Sequence, residues 1–279
     1  MVGAAVNLNI VGARSRANAA ANSLVTPETN RFFREILEKA LANPVGVAPR
    51  WAAEAWALLA NVLVNDYLQS WNNAGMVELN SAEDAVQNAL AIDRNLVLAH
   101  HAKGLVLRAR GDHRAALRAF ERAVVLDGTF ARAHAQRANE LTLLGQPANA
   151  LRSVQTAIEL SPNDSAFGTF RWIQGRAYFV AAQADPTQYD AAIQSLEEAV
   201  QLLPTVWYTW AYLISALSHQ DVNRARTVLA QFLKQPHFQG LTLEDVTRYE
   251  KANPDDNELI VRARQAMREG LKTAGVEER

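Results

Sequence analysis

No cysteine occurs anywhere in the 279 residues. This removes disulfides, thiolate metal sites and cysteine nucleophiles, and leaves the redox compartment open. An excess of one charge sign is missing too. Lys and Arg number 28 against 29 Asp and Glu, so the basic footprint of a nucleic-acid binder is absent and nucleic acid is not an expected partner. Long apolar runs are also lacking. The most apolar stretch, residues 55–64, is about half the length needed to cross a bilayer and contains Asn61, so no membrane insertion is expected. Residues 1–13 lack the basic start and sustained apolar segment of a secretory signal, although Arg14 and Arg16 follow. The stretch reads as a helix over residues 4–16, and the cytoplasm is the expected compartment.

Catalytic patterns are missing as well. There is no glycine-rich turn between a strand and a helix, no nucleophile elbow and no serine, histidine and acid in a workable order. Two acidic pairs occur. Asp255-Asp256 follows Asn253-Pro254 at a helix start, where acids complement the helix dipole, and Glu197-Glu198 belongs to a solvated helix face. Neither reads as an acid–base pair. The chain is expected not to be an enzyme and to carry no cofactor.

Internal repetition is what the sequence does contain. Within residues 96–162 a shift of 34 places Gly104 on Ala138, Leu107 on Leu141, Gly111 on Gly145, Ala116 on Ala150, Ala123 on Ala157 and Gly128 on Pro162. Further copies extend to both sides. The spacing predicts all-α helix pairs over residues 4–42, 50–93, 96–127, 130–161, 166–203 and 205–235, then capping helices within 237–279 that lack the repeat pattern. Thr26-Pro27 starts one helix, Gly111-Asp112 turns one pair, and Asp185-Pro186 belongs to a turn enlarged by residues 183–187. Residues 69–76, with Trp71, Asn72, Asn73 and Gly75, form another long turn. A single amphipathic hairpin cannot cover its apolar stripe, and stacking the next hairpin on it does. Small residues mark the closest approaches: Gly104, Ala138 and Gly175 within pairs, and Ala116, Ala150 and Ala192 across the turns.

These residues resemble the tetratricopeptide repeat, a helix pair of 34 residues, over nearly the whole chain. The resemblance implies a right-handed α-solenoid whose first helices line a concave, ligand-bearing face. The chain departs from the pattern consistently: Lys103, Arg137 and Gln174 stand where leucine precedes the small residue, and His100, His134 and Arg171 stand at the tryptophan position. A narrower likeness rests on residues 5–12 (AVNLNIVG), 99–111 (AHHAKGLVLRARG), 159–164 (ELSPND) and 269–277 (EGLKTAGVE). They are similar to the C-terminal repeat region of bacterial class III adenylate or guanylate cyclases and related winged-helix regulators. No segment here matches the output domain of those proteins, so that likeness implies a regulatory or docking module.

Histidines suggest one site to weigh. His100 and His134 occupy the same place in successive repeats, and with His101 or Glu140 they read either as metal ligands or as imidazoles filling an aromatic packing position. No cluster of carboxylates completes a coordination sphere, so no metal is assigned. By the resemblance, the inward faces of the first helices carry Asn61 and Asn65; His101, Leu105 and Arg108; Arg132, Ala135, Asn139 and Thr142; and Trp172, Arg176 and Phe179. Amides pair with a peptide backbone, and a guanidinium holds a carboxylate in two bonds. The family's carboxylate clamp is met in part: Asn61 and Asn139 fit, while His101 stands where lysine is expected. Aromatic residues Trp207, Tyr208, Trp210 and Tyr212 supply either core or an apolar patch for a partner or a second copy of the chain. The expected function is a non-catalytic scaffold binding a protein or peptide with acidic or C-terminal carboxylate groups. The alternatives are a regulatory fragment of a cyclase or transcriptional activator, and a small-molecule or metal-sensing domain.

Overall fold

Periodic burial of small and branched apolar side chains turns most of the chain into helix. The computed structural model describes residues 27–42, 49–68, 74–235, 242–249 and 256–278, with no strand among them. In chain order the helices are α1 (Pro27–Ala42), α2 (Pro49–Leu68), α3 (Met76–Ile92), α4 (Val97–Ala109), α5 (His113–Leu126), α6 (Ala131–Leu143), α7 (Pro147–Leu160), α8 (Phe167–Ala181), α9 (Tyr189–Leu202), α10 (Trp207–Ser218), α11 (Val222–Leu233), α12 (Leu243–Tyr249) and α13 (Glu258–Ala274). The expected helix at 4–16, most of the 69–76 turn, Pro236 and Asp255 lie outside the described residues. The chain divides into two units, residues 1–133 and 134–279, with the division inside α6.

In the first unit α2 packs on α3 and α4 on α5. Leu59, Leu63, Leu79, Val86, Val106 and Phe120 form its core. The contact within the second of these pairs is set by a missing side chain. A Cβ built on Gly104 would lie 2.4 Å from the Phe120 ring, and Phe120 is fully buried. The turn that follows needs glycine for a different reason, since Gly111 has φ +83°. Asp112 then caps α5 by accepting a hydrogen bond from the backbone N–H of Ala115 at 2.9 Å. At the other end of the unit, the Asn30 amide donates to the Val62 carbonyl and to Asp66 Oδ1, both at 2.8 Å. Asn30 and Asp66 are both buried, so α1 is keyed to α2 by polar atoms that have no water to fall back on.

The second unit repeats the scheme with variations. A Cβ on Gly175 would come within 2.6 Å of Leu196, so α8 meets α9 as α4 meets α5. The polar replacements of the repeat's leucine find partners. Arg137 Nε donates to Ser153 Oγ at 2.9 Å, and that hydroxyl donates to the His134 carbonyl at 2.8 Å, tying α6 to α7. Gln174 accepts from Arg171 at 2.9 Å and lies 3.3 Å from Gln155 on α7. Lys103, by contrast, projects into solvent. The enlarged turn closes with a 3-10 turn at Pro186–Gln188, capped by Asp185. After α11 the pattern changes: α13 packs along α10, and also touches α8 and α11.

Three glycines separate steric from conformational requirements. Gly104→Ala is expected to lower stability by about 1–3 kcal/mol through overpacking against Phe120. Gly111→Ala, with no atom within 4 Å of the added methyl, should lose about 1–2 kcal/mol from the left-handed backbone alone. Gly128→Ala meets only the Val124 carbonyl, at 3.9 Å, and should stay within about 0.5 kcal/mol of wild type. Urea denaturation of the three variants checks the order.

Candidate functional site

Successive first helices place equivalent residues side by side, and in the second unit this aligns Asn139, Arg176 and Tyr212. Arg176 Nε donates to the Tyr212 hydroxyl at 2.9 Å and Nη1 reaches Asn139 Oδ1 at 3.4 Å. Its guanidinium carbon lies 5.6 Å from the Trp172 ring centroid and 5.5 Å from that of Tyr212. A cation between two aromatic rings is held by their electron-rich faces as well as by hydrogen bonds. Arg176 is only 7 % exposed and Asn139 5 %, so the surroundings fix the guanidinium in one place.

Neighbouring rows on the same face are aromatic. One turn earlier, Trp172 and Tyr208 lie with ring centroids 4.7 Å apart. One turn later, Phe179 packs edge-on against Tyr212 at 5.4 Å and Tyr189 at 5.8 Å, and Tyr189 stacks on His219 at 4.8 Å. Phe179 is fully buried, so its contribution is to brace Tyr212. Tyr189 opens α9 directly after the enlarged turn, whose Gln183 donates to its hydroxyl at 3.1 Å. Burial pushes the Tyr189 phenol up, partly offset by that hydrogen bond. Trp210 is core, its indole N–H donating to the Pro204 carbonyl at 2.9 Å.

The first unit holds the remaining expected residues. His101 is buried, with the rings of Phe120 and Phe130 edge-on at 5.7 and 5.4 Å. Its Nε2 has no hydrogen-bond partner among the described residues. Desolvation first, then the charges of Arg132 and Arg108, lower its pKa to about 3, so the imidazole is neutral and acts as an aromatic side chain. Arg108 lies over the Phe120 ring, 5.3 Å from its centroid. Asn61 donates back to the Ala57 carbonyl at 2.9 Å within its own helix. Asn65 and Arg132 are half-buried.

Other candidates resolve into structural contacts. His100 lies 2.9 Å from the Arg94 carbonyl, and burial lowers its pKa. Among the described residues no three His, Asp or Glu side chains converge as a metal-binding set. Glu198 pairs with Arg171 at 2.8 Å, Glu197 with Arg224, and Asp256 with Arg264.

Two residues of this face, Ser215 and His219, and two of α13, Gly270 and its cap Asn257, went unrecognised in the sequence because their roles depend on the contact between the two. Ser215 Oγ donates to the Ala266 carbonyl at 3.2 Å, and His219 Nε2 lies 3.1 Å from the same oxygen. A Cβ on Gly270 would fall 2.6–2.9 Å from Ser215 atoms, backbone included. At the other end, Asn257 accepts from Ile260 N–H at 3.1 Å as the cap of α13 and donates to the Leu144 carbonyl at 3.2 Å. The small-residue spacing of Ala263, Ala266, Gly270 and Ala274 was the available signal.

Comparison with solved structures bears on the fold. PilF of Pseudomonas aeruginosa matches over 80% of this chain and 87% of its own, at 16% identity and a TM-score of 0.55. MamA of Desulfovibrio magneticus RS-1 matches over 68% of this chain and 98% of its own, at 16% identity and TM-score 0.50. The fold is a tetratricopeptide-repeat solenoid. TTC0263, a thermophilic tetratricopeptide protein of Thermus thermophilus, aligns over 68% of this chain and 91% of its own, at 19% identity and TM-score 0.49. No protein-family model and no curated protein matches the chain, so the likeness to cyclase-type regulators rests on the sequence segments alone. Among the described residues of this tetratricopeptide solenoid, no helix is long and apolar enough to cross a membrane.

His101 gives a pH test. Its folded pKa of about 3 lies below the ordinary 6.5, so between these values the unfolded chain binds the extra proton. Stability is therefore fully present above pH 6.5 and falls as the pH drops, with a slope approaching about 1.4 kcal/mol per pH unit. Urea denaturation at about pH 7, 6 and 5, above most carboxylate titration, should show this loss in wild type and a flatter dependence in His101→Leu.

Proposed function

We propose that the chain is a non-catalytic scaffold that binds a protein or peptide segment on the first-helix face of its tetratricopeptide pairs. The observation that supports this most is the Asn139, Arg176 and Tyr212 row. Three successive repeats contribute one polar residue each, and together they fix a guanidinium between aromatic rings. A prepositioned arginine loses little side-chain entropy when it takes a carboxylate. The amide of Asn139 is suited to a peptide backbone, and the Trp172 and Tyr208 pair to an apolar side chain. In the first unit, Arg108 and Arg132 beside a neutral His101 add positive charge without a competing imidazolium. The partner chemistry is a peptide with acidic side chains or a free C-terminal carboxylate. A module of this kind docks or regulates an output domain, and the form named by the sequence likeness is a cyclase or a winged-helix regulator.

Peptides selected from a library displayed with free C-termini, measured by tryptophan fluorescence, provide the test. Arg176→Gln is expected to weaken binding at least tenfold, and amidation of the peptide C-terminus should produce a similar loss where the carboxylate is the group recognised. Thermal melts confirm that the variant remains folded. Equal affinity of wild type and Arg108→Glu/Arg176→Glu for every selected peptide would remove the proposal.

A further inference from the structure

The contacts of α13 identify the shape of a partner, an inference that rests on the first-helix face being the ligand-bearing one. A helix that merely closed the end of the array would pack on the last pair alone. α13 does touch α11 of the last pair, as a cap would, but it also meets α10, α8 and, through Asn257 and the Leu144 carbonyl, the end of α6. Helices α6, α8 and α10 are the first helices of three successive pairs. Gly145, whose left-handed backbone (φ +69°) already requires glycine as at Gly111, also leaves room for this contact, since a Cβ there would lie 1.9 Å from the Asn257 amide. Ser215 and His219, which meet α13 from α10, continue the face beside Tyr212 and Phe179.

The manner of contact matters as much as its place. Every side chain named as bonding across this interface reads backbone: Ser215 and His219 the Ala266 carbonyl, and Asn257 the Leu144 carbonyl. Ala263, Ala266, Gly270 and Ala274 are buried on α13, and Gly270 lets its backbone approach that of Ser215. The opposite face of α13 carries exposed Glu258, Arg262, Arg268, Glu269 and Lys272. At the α13 contact itself, shape and small residues therefore contribute to what is accepted beside the row of Asn139, Arg176 and Tyr212.

We propose that α13 is a built-in occupant of the second unit's first-helix face, and that the external partner is an amphipathic helix with small residues at the spacing of 263, 266, 270 and 274 that takes its place. Being tethered, α13 holds a local concentration that a free helix must overcome. Wild type is thus expected to bind such a helix weakly, and a chain whose own α13 cannot seat should bind it well.

The test uses the full chain and a fluorescein-labelled synthetic peptide of residues 256–276, read by anisotropy. Gly270→Leu in the chain forces a side chain into the Ser215 backbone and should raise affinity for the wild-type peptide at least tenfold over the wild-type chain. The same peptide carrying Gly270→Leu should not bind, and adding Ser215→Leu to the variant chain should abolish binding. Hydrogen exchange on the unmodified chain gives a measurement independent of the variant's folding: amides of α13 should exchange well ahead of those in α10. Equal protection of α13 and α10, or a folded Gly270→Leu chain that ignores the peptide, overturns the proposal. Library peptides whose binding depends on Arg176 but is untouched by Gly270→Leu would overturn it while leaving the function proposed above in place. Peptide binding to the Gly270→Leu chain without any Arg176-dependent ligand would have the reverse meaning.

Discussion

The structure depends on one constraint: the two helices of a pair must approach closely enough for a large side chain of one to sit on bare backbone of the other. Phe120 on Gly104 and Leu196 on Gly175 are the two clearest cases. Dispersion falls away within an ångström of the optimal distance, so a pair held farther apart would forfeit much of its contact energy. With each pair fixed, the next has a defined surface to stack on. The rows of equivalent residues, including Asn139, Arg176 and Tyr212, follow from that regularity.

Polar residues at core-facing positions show how the array tolerates departures from an apolar pattern. Arg137 and Gln174 replace leucine, yet each meets a polar partner on a second helix: Ser153 for Arg137, Gln155 for Gln174. Such contacts contribute less than apolar burial, but leaving either partner alone would cost more than the pair contributes. His101 solves the same problem differently, by remaining neutral between two phenylalanines. Asn30 and Asp66 repeat the pairing device at the other end of the first unit.

Much of this was legible in the sequence. The shift that superposes Gly104 on Ala138 and Gly111 on Gly145 locates close approaches and turns, because those backbone demands admit few residue types. The row containing Asn139 and Arg176 was also readable, since it follows from periodicity once the first helices are assigned. Burial was harder to read. Phe179 and His101 lie on the expected face but are covered by rings from their own pair and from the next, Tyr189 and Tyr212 for one and Phe120 and Phe130 for the other, and coverage is a tertiary property. Least legible was α13, whose register against Ser215 depends on an absent Cβ and on backbone carbonyls that no side-chain pattern encodes.

The enlarged turn before α9 carries a consequence for how such a protein changes. Its extra residues fold into a 3-10 turn capped by Asp185 and deliver Tyr189 to the stack on His219, while Leu196 still meets Gly175 in the regular way. Helix phase and turn length are thus decoupled. A lineage can lengthen a turn, furnish the neighbouring face with a new aromatic wall and alter what is recognised there, all without disturbing the stacking that keeps the array folded.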